Sequence, residues 1–150
     1  MRGQFTRGRN DLEKAIAFAI QRAHERVRVT LYREFHEEGL RITPEQWVVL
    51  VLLWDREGRT PSELSDAALR DRPTMTRLLD TMERNGLVTR QPARTDKRER
   101  VVRLTRRGRS LHTPLMAHAR RIVARLERGI SEGDLRVTHR TLQQIVENLA

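Results

Sequence analysis

In the segment RPTMTRLLDTMERNGL, Arg72 to Leu87, side-chain chemistry divides by face. Met75, Leu78, Leu79 and Met82 recur at helical spacing and form one apolar stripe. The other face opens with Arg72, Pro73, Thr74, Thr76 and Arg77, followed by Asp80 and Arg84. Hydroxyls, guanidinium groups and free backbone N–H groups at a helix start suit phosphate oxygens. An arginine fork also matches the O6 and N7 acceptors of guanine, and a threonine methyl can touch that of thymine. A solvated amphipathic helix would show the same division, so the neighbouring elements must decide between the two.

Those neighbours are well punctuated. In TPEQWVVLVLLW, Thr43 is an N-cap, Pro44 takes the first helical position and Gln46 completes a capping box. TPSELSDAAL repeats this start with Thr60, Ser62 and Glu63 and predicts a short helix ending near Leu69. Asp71 then caps the helix of the opening segment, and Asn85-Gly86 ends it with Leu87 folding back. LVTRQ and RVVRL alternate like strands around PARTDKRE, which has the composition of a hairpin tip. Two helices across a tight turn, followed by a basic hairpin, describe a winged helix-turn-helix.

The flanks are long helical patterns. From Asp11 to about Gly39 a stripe runs through Leu12, Ile16, Ile20, Val27, Leu31 and Phe35. A second runs from Thr105 to about Gly129, where Pro114 should kink the helix or delay its start. A last helix is predicted after Ser131, whose capping box closes on Asp134. The expected fold class is therefore mainly α with a small β-hairpin wing.

Charge points to a polyanion. The 150-residue chain has a formal charge of +10. Between Arg84 and Arg109 stand nine arginines and Lys97 against only Asp96 and Glu99, so the excess concentrates on the hairpin. Such a segment neutralises phosphates with steep salt dependence and by itself carries no sequence information. Arg94 or Arg98 at the tip is placed for a minor groove.

Other chemistries are poorly supplied. With no cysteine there is no disulfide, thiolate metal site, Cys nucleophile or thiol redox switch. The five histidines are scattered, without HExxH or a glycine-rich phosphate loop, so no catalytic constellation forms. No cofactor is expected. The longest apolar run, WVVLVLLW, is far short of the roughly 20 residues of a membrane span. No signal-peptide pattern opens the chain, and a cytoplasmic location without membrane contact is expected.

LRITPEQWVVLVLL, TPSELSDAALRDRPTMTRLLDTMERNGLVTR and DKRERVVRLTRRG resemble the MarR (multiple antibiotic resistance regulator) family of bacterial transcription factors in order and spacing. The resemblance is close from Leu40 to Gly108 and holds by pattern in the flanks. It implies one chain, 1–150, with a winged helix-turn-helix over about 43–105 and dimerisation helices over about 11–39 and 106–150. It also implies a homodimer on a pseudo-palindromic double-stranded DNA operator, as a repressor released by a small aromatic or phenolic effector. On that likeness Arg72, Pro73, Thr74, Thr76, Arg77 and Arg84 meet the major groove. Arg94, Asp96, Lys97 and Arg98 form the wing contact, with Asp96 orienting Arg98 by a charge-assisted hydrogen bond. Trp47, Trp54 and Tyr32 are expected in core or dimer packing rather than around a ligand. Two alternatives stay open: a nonspecific DNA-coating protein, and a zinc-responsive regulator for which HEE at His36 to Glu38 is the local hint.

Overall fold

The computed structural model describes residues 15–94, 96 and 98–150; the predicted helix start at Asp11 and the wing residue Lys97 lie outside them. Seven helices and a hairpin follow in order: α1 Ile16–Glu37, α2 Pro44–Asp55, α3 Pro61–Ala67, α4 Arg72–Arg84, β1 Val88–Pro92, β2 Arg100–Leu104, α5 Arg106–Ser110, α6 His112–Leu126 and α7 Glu132–Asn148. The fold class is as the sequence predicts.

Local chemistry sets the helix starts. Thr43 and Gln46 form a reciprocal capping box at α2, as do Thr60 and Glu63 at α3, each with proline in the first turn. Asp71 accepts the Thr74 N–H at 2.8 Å and caps α4. At its other end Gly86 takes φ +66° and the Leu87 N–H reaches back to the Met82 carbonyl at 2.9 Å. Only glycine adopts that turn without cost, which explains NGL as a helix stop. Ser131 accepts the Asp134 N–H, while its own hydroxyl bonds the Asp134 carboxylate, so the box predicted at α7 closes side chain to side chain.

One core unites these elements. Leu50 and Leu53 of α2, Leu64 of α3, Met75, Leu79 and Met82 of α4, and Val88 and Val102 of the hairpin are fully or almost fully buried together. Leu78, expected with them, is half-buried at the margin. Phe35 from α1 and Leu115 from α6 enter the same cluster, so both flanking helices are anchored to the central unit. Phe35, Trp47, Trp54 and His112 form an aromatic series with centroid separations of 5.4, 5.8 and 5.0 Å. Trp47 and Trp54 thus pack as expected. Tyr32 is not in the core of the chain: its ring is exposed and stacks on His36.

The register of the hairpin was not legible beforehand. The hairpin pairs Val88 with Leu104 through Pro92 with Arg100, and Arg59 adds an isolated bridge to Val102 on the other edge of β2. Pro114 delays the start of the long helix after the wing, one of the two outcomes expected of it. α5 ends at Ser110 and α6 restarts at His112, because Pro114 has no N–H to return to the preceding turn.

Leu69, in the turn between α3 and α4, has φ +50° and is 77% exposed. A left-handed leucine costs about 1–2 kcal/mol, and a glycine there would return about 0.5–1 kcal/mol of that as chain entropy. Leu69→Gly should therefore raise stability by about 0.5–1 kcal/mol, read as a higher urea midpoint at unchanged slope.

Candidate nucleic-acid interface

α3 and α4 meet across a four-residue connection, Ala68 to Asp71, and the three residues Asn85 to Leu87 lead from α4 into the wing. Both connections are short and their flanks share the core, so α4 and the hairpin are presented by one body. With Met75, Leu79 and Met82 turned inward, Arg72, Pro73, Thr76, Arg77 and Arg84 are exposed, and Thr74 is partly so. The predicted recognition residues thus share the outer surface of one helix. Ser62 and Glu63 are partly buried at the start of α3, where Glu63 serves its cap and bonds Arg56 at 2.7 Å.

The threonines are partly committed. Thr76 donates its hydroxyl to the Arg72 carbonyl at 2.9 Å and Thr81 to that of Arg77 at 3.1 Å. Arg84 in turn bonds the Thr81 hydroxyl. Arg72, Arg77, Arg94 and Arg98 are exposed and form no ion pair among the described residues.

The acids of the same region are engaged. Asp71 caps α4, and Asp80 and Glu83 both bind Arg90, at 2.7 and 2.9 Å. Asp80 therefore does not stand free on the outward face as the helical spacing alone implied. This segregation leaves α4 with free cations and occupied carboxylates, while on the wing Asp96 is occupied and Glu99 is exposed without an ion pair among the described residues.

Asp96 bonds Arg98 as expected, through the Arg98 backbone rather than its side chain. Its carboxylate accepts the backbone N–H of Arg98 at 2.9 Å, so it shapes the tip rather than steering the Arg98 guanidinium. The Ala93 N–H to Glu99 carbonyl bond, 2.8 Å, closes the loop beneath it. Two residues apart in a turn, a short carboxylate reaches a backbone donor more readily than the end of a long side chain.

The caps carry a pH signature. The Thr74 backbone N–H, and then its hydroxyl, hold the Asp71 carboxyl below the usual aspartate range. The Thr60 backbone N–H, and then Arg56, do the same for Glu63. Each group binds a proton more weakly folded than unfolded, so its stabilisation is complete above the ordinary carboxylate pKa, about 4, and is lost as pH falls through the lower folded value. Asp71→Asn with Glu63→Gln should flatten the fall in urea midpoint between about pH 5 and 3 relative to the parent.

Among the described residues no group of three His, Cys, Asp or Glu side chains is placed to hold a metal ion. No described helix is long and apolar enough to cross a membrane.

Two capped helices across a tight turn, an arginine- and threonine-bearing second helix and a basic hairpin on one core define a winged helix-turn-helix protein. The MarR family model matches residues 42–100, which contain the two capped helices, α4 and the hairpin tip. The chain is 32% identical over 97 residues to the organic hydroperoxide resistance transcriptional regulator of Bacillus subtilis (strain 168), covering 65% of each chain. The solved transcriptional repressor CouR, bound to a 23-mer DNA duplex, matches with 26% identity and TM-score 0.75 over 94% of this chain and 99% of its own. Bordetella bronchiseptica BpsR, solved in connection with regulation of its DNA binding by 6-hydroxynicotinic acid, shares the fold at TM-score 0.81 and 19% identity, over 96% of this chain and 98% of its own. This chain carries, over residues 42–100, the winged helix-turn-helix unit of the MarR family. It spans between about half and two thirds of the length of the curated relatives it matches.

Proposed function

We propose that the chain is a sequence-specific regulator of transcription that binds double-stranded DNA as a homodimer, with α4 in the major groove and the wing at the adjacent minor groove. The observation that carries this reading is the segregation of charge. Arg72, Arg77, Arg94 and Arg98 are exposed and unpaired among the described residues, while Asp71, Asp80 and Glu83 on the same unit are occupied. The wing arginines supply affinity for the DNA backbone and the α4 face supplies contacts to base edges.

The dimer rests on unsatisfied apolar surface. α1 buries only Phe35 and α7 buries nothing, while Ile16, Phe18, Val137, Val146 and Leu149 remain exposed. Stripes of this length at both ends need a partner surface, and a second copy supplies matching ones. We assign about 11–39 and 106–150 to dimerisation and about 43–105 to DNA binding.

Repression relieved by a small aromatic or phenolic acid is the regulatory mode we propose. A groove of about 340 Å³ between α1 and α6 supports it: Ala23, Val27, Ile122 and Leu126 supply apolar walls for a ring and Arg26 a guanidinium group for a carboxylate, beside Arg125, which pairs with Glu34 at 3.6 Å. With no cysteine in the chain, release by thiol oxidation is excluded.

The deciding experiment is selection of bound duplexes from random DNA, followed by fluorescence anisotropy on the recovered duplex and a scrambled one across a salt series. A regulator holds its site about 10³-fold or more above scrambled DNA, with one dimer per site. Equal affinities that vanish together as salt rises would make it a nonspecific DNA-coating protein.

A further inference from the structure

Arg90 lies on β1, two residues beyond the buried Val88 and on the same face of the strand. Its side chain is 21% exposed and is the most heavily engaged arginine of the winged unit. One guanidinium nitrogen meets Asp80 Oδ1 at 2.7 Å and Glu83 Oε2 at 2.9 Å, and the other donates to the Thr76 carbonyl at 3.2 Å. The Arg90 backbone N–H donates to Glu83 Oε1 at 2.9 Å. Thr76, Asp80 and Glu83 stand at i, i+4 and i+7, so a single side chain from the wing binds a stripe two turns long on α4.

An isolated exposed ion pair contributes little, but this one differs in kind. It is largely covered, it fills three acceptors with one planar fork, and the strand backbone shares one of its carboxylates. The apolar packing of Leu87 and Val88 joins the root of the hairpin to the end of α4. Arg90 fixes the angle further out, where the hairpin could otherwise rock about that root.

Resting on the DNA-binding reading above, we propose that Arg90 is a positioning residue for sequence recognition: it locks the wing to α4 so that the major-groove and minor-groove contacts are made in one register. Contacts to base edges tolerate misplacement of only about 0.5 Å, whereas phosphate contacts through long arginines tolerate more. Loosening the lock therefore reduces discrimination between sequences more than it reduces adhesion to DNA.

A competing account makes Arg90 only a neutraliser, sparing the phosphates from Asp80 and Glu83. The two accounts predict opposite results for Asp80→Ala/Glu83→Ala in the full chain. That variant keeps Arg90, removes its carboxylate anchors and makes the surface more positive by two charges. Anisotropy against the selected duplex and its scrambled counterpart, at one salt concentration, separates them. Positioning predicts equal or tighter binding to scrambled DNA with the preference for the selected duplex reduced about tenfold or more from its 10³-fold level. Neutralisation alone predicts tighter binding to both with the preference intact, which would overturn the proposal.

Arg90→Lys is the companion variant, since it keeps the charge and cannot span three acceptors. It should lose preference while its melting temperature and dimer mass stay near those of the parent. If both variants fold and retain the full preference, Arg90 has no positioning role. If the parent itself shows no preference, the regulator reading fails, and the positioning role falls with it.

Discussion

Gly108→Ala is expected to be the most damaging single substitution in the winged unit. A Cβ at Gly108 would collide with the Leu87 carbonyl oxygen and lie 3.1 Å from Leu104 Cδ2. The carbonyl cannot retreat cheaply, because it accepts the Thr105 N–H at 3.1 Å and the Thr105 hydroxyl at 3.2 Å. Nor can α5 move freely, since Gly108 also accepts the Trp54 indole N–H at 3.1 Å and Arg107 bonds the Asn85 carbonyl. Relief must come from separating α5 from the end of α4, at a cost of about 2–4 kcal/mol, the range of overpacked sites with little room to relax. In a chain of this size that lowers the melting temperature by about 5–15 °C. Calorimetry checks it. A melting temperature within a degree of the parent would mean that the close approach of α5 to Leu87 is not a feature of the folded protein.

The second large effect concerns DNA. Arg77→Ala should weaken binding to the selected duplex by about 10–100-fold, equivalent to about 1–3 kcal/mol for one bidentate base contact, and barely change binding to scrambled DNA. Arg98→Ala should weaken binding to both, lowering the slope of log affinity against log salt by about one counterion. The contrast matters more than either value, because Arg77 on α4 is assigned to bases and Arg98 at the wing tip to the phosphate-lined groove. Both side chains are exposed and unpaired among the described residues, so neither substitution should move the melting temperature by more than the scatter of surface changes. Identical effects on the two duplexes for both variants would refute this division of labour.

Local signals carried much of the architecture. Thr43 with Gln46, Thr60 with Glu63, and Asp71 with the Thr74 N–H form within three residues of one another, so their geometry follows from chain connectivity. Gly86 stops α4 for the same reason, since a left-handed residue is a property of one backbone position. The apolar stripe Met75, Leu79 and Met82 fixes which face turns inward, and by exclusion which face carries Arg72, Thr76 and Arg77.

Longer side chains escaped such reasoning. Arg90 reads in the sequence as one more cation of a basic wing, yet it is spent on Asp80 and Glu83. Asp96 bonds Arg98 as the resemblance implies, but only the structure shows that the donor is the backbone N–H. An arginine can reach partners over a wide arc, and only the packing of strand against helix selects among them. The pairing of Arg59 with Val102 is likewise invisible locally, because it joins segments more than forty residues apart in the chain.

The sequence by itself determined the helix starts and stops, the hairpin, the buried stripe of α4, the excess of basic charge and the absence of any thiol. These depend on contacts within a few residues, or on composition alone. Only the tertiary structure decided which arginines are free and which are consumed, and that Gly108 must lack a side chain. Each of those depends on how closely two elements distant in the chain approach, and that distance is set by the shared core rather than by any one segment.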